Sequence, residues 1–276
     1  MKRTGPTLAD FLTYGALGLA LIVFLAPVLW MLITAVKPPH EWLTTPPVLI
    51  PSELHWANFT DALFTWGGAK GLRDSLIVAS LSTALSLMFG VPAAYALGRF
   101  KTGGDNLSFT VLSILFMPPV AVAIPMYLFW SALGLLDSYT ALILQYTVFN
   151  LPFVAWVLKS FFEDIPREME ESALVNGATR WRAFWQIAVP LACPAILAVG
   201  LLAFIFSWNE FFFALILTRA NVTTLPFILP VLMEGHDILW GDIAAIATLG
   251  ALPVVILAFA LQRYLVRGLS FGTVHE

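Results

Sequence analysis

Six long apolar runs dominate this chain, with short polar stretches between them. A helix needs about 20 predominantly apolar residues to cross the hydrocarbon core of a bilayer. The runs at about 11–36, 73–98, 107–133, 139–161, 191–218 and 239–265 meet that length. The first follows Lys2 and Arg3, as a signal peptide would. Its apolar stretch is too long for that and has no convincing small-residue cleavage site, so it reads as a retained helix. Pro92, Pro118, Pro119, Pro125, Pro152 and Pro253 fall within the runs and are expected to break or kink them.

Composition agrees with the pattern. Of the 276 residues, 59% are hydrophobic and 11% charged, against about 25% charged in soluble domains. The bilayer is therefore the expected solvent. The net charge of −3 argues against a nucleic-acid partner. One cysteine, Cys193, excludes a disulfide framework or thiolate cluster. His40, His55, His236 and His275 have no metal-ligand spacing. Gly67-Gly68-Ala69-Lys70-Gly71 has the wrong spacing for a phosphate loop, so no nucleotide hydrolysis is expected of this chain.

Six spans put both termini on one side. With the N-terminus inside, Lys2, Arg3, Arg99, Lys101, Lys159, Arg167, Arg180, Arg182, Arg263 and Arg267 lie inside, and Lys37, Lys70, Arg73 and Arg219 outside. This excess of internal positive charge places both termini in the cytoplasm. The expected fold class is an all-α membrane protein with six transmembrane helices, forming one domain over 1–276. Residues 37–72 form an external loop rich in Pro and Trp, ordered against the membrane face or a partner, or simply an interfacial aromatic belt. Residues 73–265 hold the core helices, and 162–190 a cytoplasmic loop.

That loop is unusual. Asp164 and Pro166 suit a helix start, followed by Glu168, Glu170 and Glu171 where the helix dipole favours acid. Met169, Ala173 and Leu174 form a small apolar stripe. Asn176-Gly177 offers a left-handed stop, Thr179 a cap for a second short helix, and Pro190 the opening of the next span. Two physical readings follow. The pair of helices lies in the headgroups, which suits Arg180, Arg182, Trp181 and Trp185. Alternatively it docks a soluble partner, which also accounts for the acidic first helix and the tight turn.

The same stretch resembles the signature of permease subunits of binding-protein-dependent ABC importers: E-A-A, three residues, G, nine residues, I, one residue, L-P. Glu171-Ser172-Ala173 stands for E-A-A, Gly177 for the glycine, and Ile187, Val189 and Pro190 for the ending. Ser172 and Val189 depart from the pattern with small or apolar replacements. Trp208-Asn209-Glu210-Phe211 and Gln262–Leu269 resemble patterns of the carbohydrate-uptake branch, of the maltose-type second permease in particular. The Gly272–Glu276 tail departs from that branch's ending.

The resemblance implies an ABC type I importer permease fold, with a coupling helix between spans 4 and 5 that fits a groove on an ATPase. It implies coupling roles for Glu171, Ser172, Ala173, Asn176, Gly177, Ile187 and Pro190. It implies as partners a homologous second permease, two ATPase subunits, an extracytoplasmic sugar-binding protein and membrane lipid, with a small carbohydrate as cargo. No cofactor is expected on this chain, ATP and Mg being held by the partner ATPase. The implied location is the cytoplasmic membrane of a bacterium or archaeon.

A transport path needs polar groups at depth. Glu210 is the only acidic side chain well inside an apolar run, and a charge there costs about 2.5–3.5 kcal/mol on insertion scales. Asn209, Gln145 and Asn150 are further candidates, and Tyr127 and Tyr146 can stack on a sugar ring. The alternative role for all of these is helix-to-helix bonding. Three competing functions stand beside sugar import: an ABC permease for another solute, an ion-gradient-driven secondary transporter, and a membrane scaffold that only recruits a partner. The gradient-driven reading lacks the internal repeat and the set of midplane ligands expected of it.

Overall fold

Helices account for almost all the regular structure in the computed structural model, which describes residues 8–233 and 238–270, with side chains for 10–233 and 238–263. Lys2, Arg3, His236, His275, the tail, and the side chains of the Gln262–Leu269 stretch beyond Arg263 lie outside the described residues. Among those described, five helices are long and apolar enough to cross a membrane, and a bent pair makes a sixth candidate. They are α1 (Leu8–Thr34), α2 (Gly68–Phe100), the pair α3 (Gly104–Leu115) and α4 (Ala123–Ala132), α5 (Tyr139–Asp164), α7 (Arg180–Trp208) and α10 (Trp240–Ser270). Between them lie α6 (Arg167–Val175), α8 (Phe212–Leu217) and α9 (Leu225–Val231).

Several expected boundaries move. The run 107–133 is not one helix: its two parts are bent by 94° at Pro118-Pro119, where neither proline supplies an N–H and the residue before each is driven from helical geometry. Pro92, Pro152 and Pro253 lie inside continuous helices instead. The run 191–218 begins earlier and breaks at Asn209–Phe211. Pro190 does not open a span. It lies within α7, directly after a π-turn over Phe184–Ala188 in which Val189 N–H donates to Phe184 O. Asp164 caps nothing: it is the last residue of α5, and Pro166 holds the position before α6 with extended ψ.

The chain groups into two units, 1–69 with 229–251, and 70–228 with 252–276. In the first, the 37–72 loop is folded on itself. Asn58 is buried, and its Nδ2 donates to Ala35 O at 3.1 Å and Lys37 O at 2.9 Å. Trp42 Nε1 donates to Lys37 O at 3.1 Å, and Lys37 Nζ lies 4.1 Å from the centre of the Trp30 ring. Trp66 Nε1 donates to Asp242 Oδ2 at 2.8 Å. Four of the loop's polar bonds thus run from an asparagine amide or a tryptophan indole N–H to acceptors within the same unit.

The second unit holds two apolar clusters. Tyr95, Val154, Phe162, Phe184 and Ala192 belong to one that joins α2, α5 and α7. Trp130, Leu142, Tyr146, Phe213 and Leu217 belong to the other, which joins α4, α5 and α8. Small residues let the helices approach. A Cβ built on Gly98 would lie 2.8 Å from Lys159 O, so the end of α2 touches the backbone of α5.

The loop after α8 is held by two carboxylates. Asp74 is buried and accepts from Lys70 Nζ at 2.8 Å, Tyr139 OH at 2.6 Å and Thr223 N–H at 3.0 Å. Asp137, at φ 57°, accepts from the N–H groups of Arg219, Ala220, Asn221 and Val222 at 2.9–3.1 Å. Burial opposes its charged form, but the four N–H donors outweigh this and hold the carboxyl below the usual carboxylate range. Its folded pKa therefore lies below the unfolded value of about 3.9. The stabilisation is present above that value and is lost as pH falls through the folded pKa. Asp137→Asn is expected to cost about 1 kcal/mol at neutral pH. Thermal melts should show the gap between parent and variant closing on acidification. A gap that does not change with pH would refute the assignment.

Candidate functional site

Polar chemistry gathers in two places in the second unit. The first is the α6 hairpin. Asn176 follows the last turn of α6, and Gly177 then takes φ 86°. Ala178 N–H donates to Ala173 O and Gly177 N–H to Leu174 O, both at 3.0 Å. This 6→1 and 5→2 pair satisfies carbonyls that a helix end leaves open, and it needs the left-handed residue that glycine supplies. Thr179 Oγ1 then accepts from Arg182 N–H at 3.2 Å and starts α7, as its place after the glycine predicts.

The faces of this hairpin sort its residues. Glu171, Ser172, Asn176 and Gly177 are exposed, and Ala173 and Ile187 are partly covered. Pro190 is exposed within α7, while its neighbour Ala188 is fully buried. The apolar residues Met169, Leu174 and Val175 are also exposed, at 46%, 38% and 88%. Glu170 is the exception, buried with 9% exposure. An exposed apolar strip beside a buried acid is the reverse of an ordinary surface helix. The acid is buried because Arg99 and Tyr95 of α2 meet it: Arg99 Nη2 lies 2.7 Å from Glu170 Oε1, and Tyr95 OH donates to Oε2 at 2.5 Å. Sequence reasoning placed Glu170 only as an N-terminal acid. Its partners stand some 70 positions earlier in the chain, beyond the reach of any local pattern. A cavity of about 250 Å³ opens here, with Arg167, Glu171 and Arg180 at its lining.

The second place is a cavity of about 110 Å³ between α5, α7 and α8. Tyr146, Asn150, Ser207 and Glu210 line it, with Phe149, Phe206 and Phe213. Asn150 Nδ2 donates to Ser207 Oγ at 2.7 Å, and Ser82 Oγ donates to the same oxygen at 3.0 Å. Glu210 accepts from Phe213 N–H at 3.0 and 3.1 Å, so its carboxylate also caps α8. Of the six residues expected along a transport path, Tyr146, Asn150 and Glu210 line this cavity. Asn209 is exposed and donates to Ile205 O at 2.9 Å. Gln145 is buried and accepts from Trp130 Nε1 at 2.8 Å, a strut between α4 and α5. Tyr127 is half-buried on α4 and is not part of the lining. Ser207 was not expected, since a lone serine in an apolar run carries no signal of its own.

Residues 86–271, which include the hairpin and the cavity, match the profile of the family described as "Binding-protein-dependent transport system inner membrane component". The chain belongs to this family. This permease is 35% identical to the sulfoquinovosyl glycerol transport system permease protein SmoH of Agrobacterium fabrum, covering 98% of this chain and 97% of the relative. It is 32% identical to the trehalose/maltose transport system permease protein MalG of Thermococcus litoralis, covering 95% of each. It shares its fold with a chain in the crystal structure of a bacterial ABC transporter involved in import of the acidic polysaccharide alginate. The TM-score there is 0.74 at 22% identity, over 96% of this chain and 99% of the other.

The permease is therefore a multi-pass inner membrane protein and a subunit of an ABC importer, not an enzyme. Importers of this kind combine permease, ATPase and binding protein, and ATP is bound on the ATPase rather than on this chain. The importer-permease family and the all-α membrane fold that the resemblance implied both hold.

Proposed function

We propose that this permease moves a carbohydrate (a sugar, oligosaccharide or related polyol) across the cytoplasmic membrane by alternating access. The observation that carries this reading is the near full-length likeness to permeases named for sulfoquinovosyl glycerol and for trehalose/maltose. The partners are a homologous second permease, two ATPase subunits, an extracytoplasmic sugar-binding protein and the surrounding lipid. The whole of 1–276 works as one permease domain, with both termini in the cytoplasm and 37–72 outside.

The ATPase seats on the exposed face of the hairpin. Glu171 faces a basic group there, Ser172, Ala173 and Gly177 allow close approach, and Asn176 shapes the turn. Ile187 and Pro190 carry the movement into α7. ATP-driven closure of the two ATPase subunits rotates these elements and opens the path outward; hydrolysis returns it inward. Asn150 and Glu210 are the path residues best placed to meet sugar hydroxyls, with Tyr146 and the phenylalanines offering apolar faces to the ring.

The test is uptake by the complex in proteoliposomes, with the ligand first identified by mass spectrometry of the cognate binding protein. A carbohydrate ligand taken up with ATP supports the reading. A non-sugar ligand would give the chain to another importer branch. Uptake that proceeds without ATP and stops with a protonophore would give it to gradient-driven transport. In the same system Glu210→Gln is expected to lower uptake about tenfold, the scale of one charge-assisted hydrogen bond, with ATPase association intact. Unchanged uptake would move the substrate site to the partner permease.

A further inference from the structure

Glu170 and Glu171 are consecutive carboxylates about 100° apart around one short helix; Glu170 is buried and Glu171 exposed. Glu170 is held from the last turns of α2 by two hydrogen bonds and an ion-pair contact. Arg99 Nη2 lies at 2.7 Å from Oε1 and Nε donates to the same oxygen at 2.8 Å, while Tyr95 OH donates to Oε2 at 2.5 Å. Both donor residues are 8% exposed. The Tyr95 ring sits 4.7 Å from Phe184 of α7 and 5.5 Å from Phe162 of α5, centre to centre. One carboxylate of α6 thus reaches the point where three spans converge.

Stability alone does not account for this arrangement. A buried ion pair is often no more stabilising than apolar residues of the same volume. What the pair supplies is direction. Two directed hydrogen bonds and an ion pair on one carboxylate fix both the distance and the orientation of α6 relative to α2, where apolar contact would let the helices slide. We propose that Glu170 is a positioning residue that carries ATPase-driven movement of α6 into α2 through Arg99 and Tyr95. This rests on the reading of the hairpin as the ATPase seat.

The experiment uses the reconstituted complex and records sugar uptake and ATP hydrolysis on the same vesicles. Glu170→Gln keeps the side-chain shape and removes the charge. The variant complex is expected to co-purify with its ATPase and to hydrolyse ATP, with uptake per ATP reduced about tenfold, at the scale of coupling changes along such networks. Tyr95→Phe keeps the ring packing and loses one bond, with a reduction of about threefold. Uptake and hydrolysis falling together at a constant ratio would overturn the proposal, because a merely structural role moves both. So would an unchanged ratio at parental rates.

Should Glu170→Gln fail to assemble, the paired substitution Arg99→Met with Glu170→Met restores a filled, uncharged core. It is expected to assemble and to keep a low uptake per ATP. Full recovery of uptake per ATP would overturn the proposal. Failure of the underlying reading looks different: Gly177→Arg and Glu171→Ala would then retain ATPase binding, whatever Glu170 does.

Discussion

A Gly177→Arg permease is expected to reach the membrane at parental levels and to import nothing. The reason lies in what surrounds the residue. A Cβ built there meets no atom of this chain within 4 Å. The added side chain therefore projects from the hairpin without displacing the core. The cost inside the chain is the left-handed backbone at φ 86°, about 1–2 kcal/mol for a residue with a Cβ. A membrane protein with the Tyr95, Phe162 and Phe184 cluster behind the hairpin can bear that. The ATPase seat cannot accept the bulk, because close approach to the turn is what the glycine permits. Gly177→Ala separates the two effects, having the strain without the bulk, and should retain most uptake. Membrane fractionation, uptake and ATPase pull-down on the three proteins decide it. Normal uptake by the arginine variant would remove the hairpin as the coupling element.

Gly98→Leu should fail earlier, in folding. The new Cβ would fall 2.8 Å from Lys159 O, with Glu163 Cγ at 3.3 Å and Phe162 Cβ at 3.4 Å. The nearest atom is backbone within α5, so it cannot turn aside as a side chain would. Overpacking of this kind costs about 1–3 kcal/mol or more. The site also makes the damage spread. Arg99 is the next residue, and a displaced α2 draws its guanidinium away from the buried Glu170. Leaving such a carboxylate without its partner costs about 3–5 kcal/mol more. Low yield in detergent and a lowered melting temperature are the expected results. Gly18→Leu is the control: nothing lies within 4 Å of a Cβ on that glycine of α1, and the variant should behave as the parent. Equal yields of Gly98→Leu and parent would mean that α2 and α5 have room to separate at this point.

The two cases mark how far local pattern reaches. Gly177 was legible because its role is local: a helix end, a left-handed residue, and a cap at Thr179 all lie within a few positions. Gly98 was not, since its demand comes from Lys159 on another helix. The spans show the same division. Length and hydropathy located α1, α2, α5, α7 and α10, but not the 94° bend between α3 and α4. A proline inside a helical run can kink it, break it or pass unremarked. Pro92 and Pro152 sit in unbroken helices while Pro118-Pro119 ends one, and neighbours that take up the freed carbonyls decide between these outcomes.

The sequence by itself determined the solvent, the class and the family, because each is carried by quantity or spacing: apolar length, scarcity of charge, and the interval from Glu171 to Pro190. It also marked Asn150 and Glu210 as polar groups out of place. Only the tertiary structure decided which of the marked residues meet. It joined Asn150 and Glu210 around one cavity, assigned Gln145 to Trp130, and turned Glu170 inward to Arg99 and Tyr95. Charge is visible in a sequence, but whether a charge is exposed or paired depends on residues that the fold brings from other helices. For that reason the acid that faces out and the acid that faces in, one position apart, could not be told apart before the helices were packed.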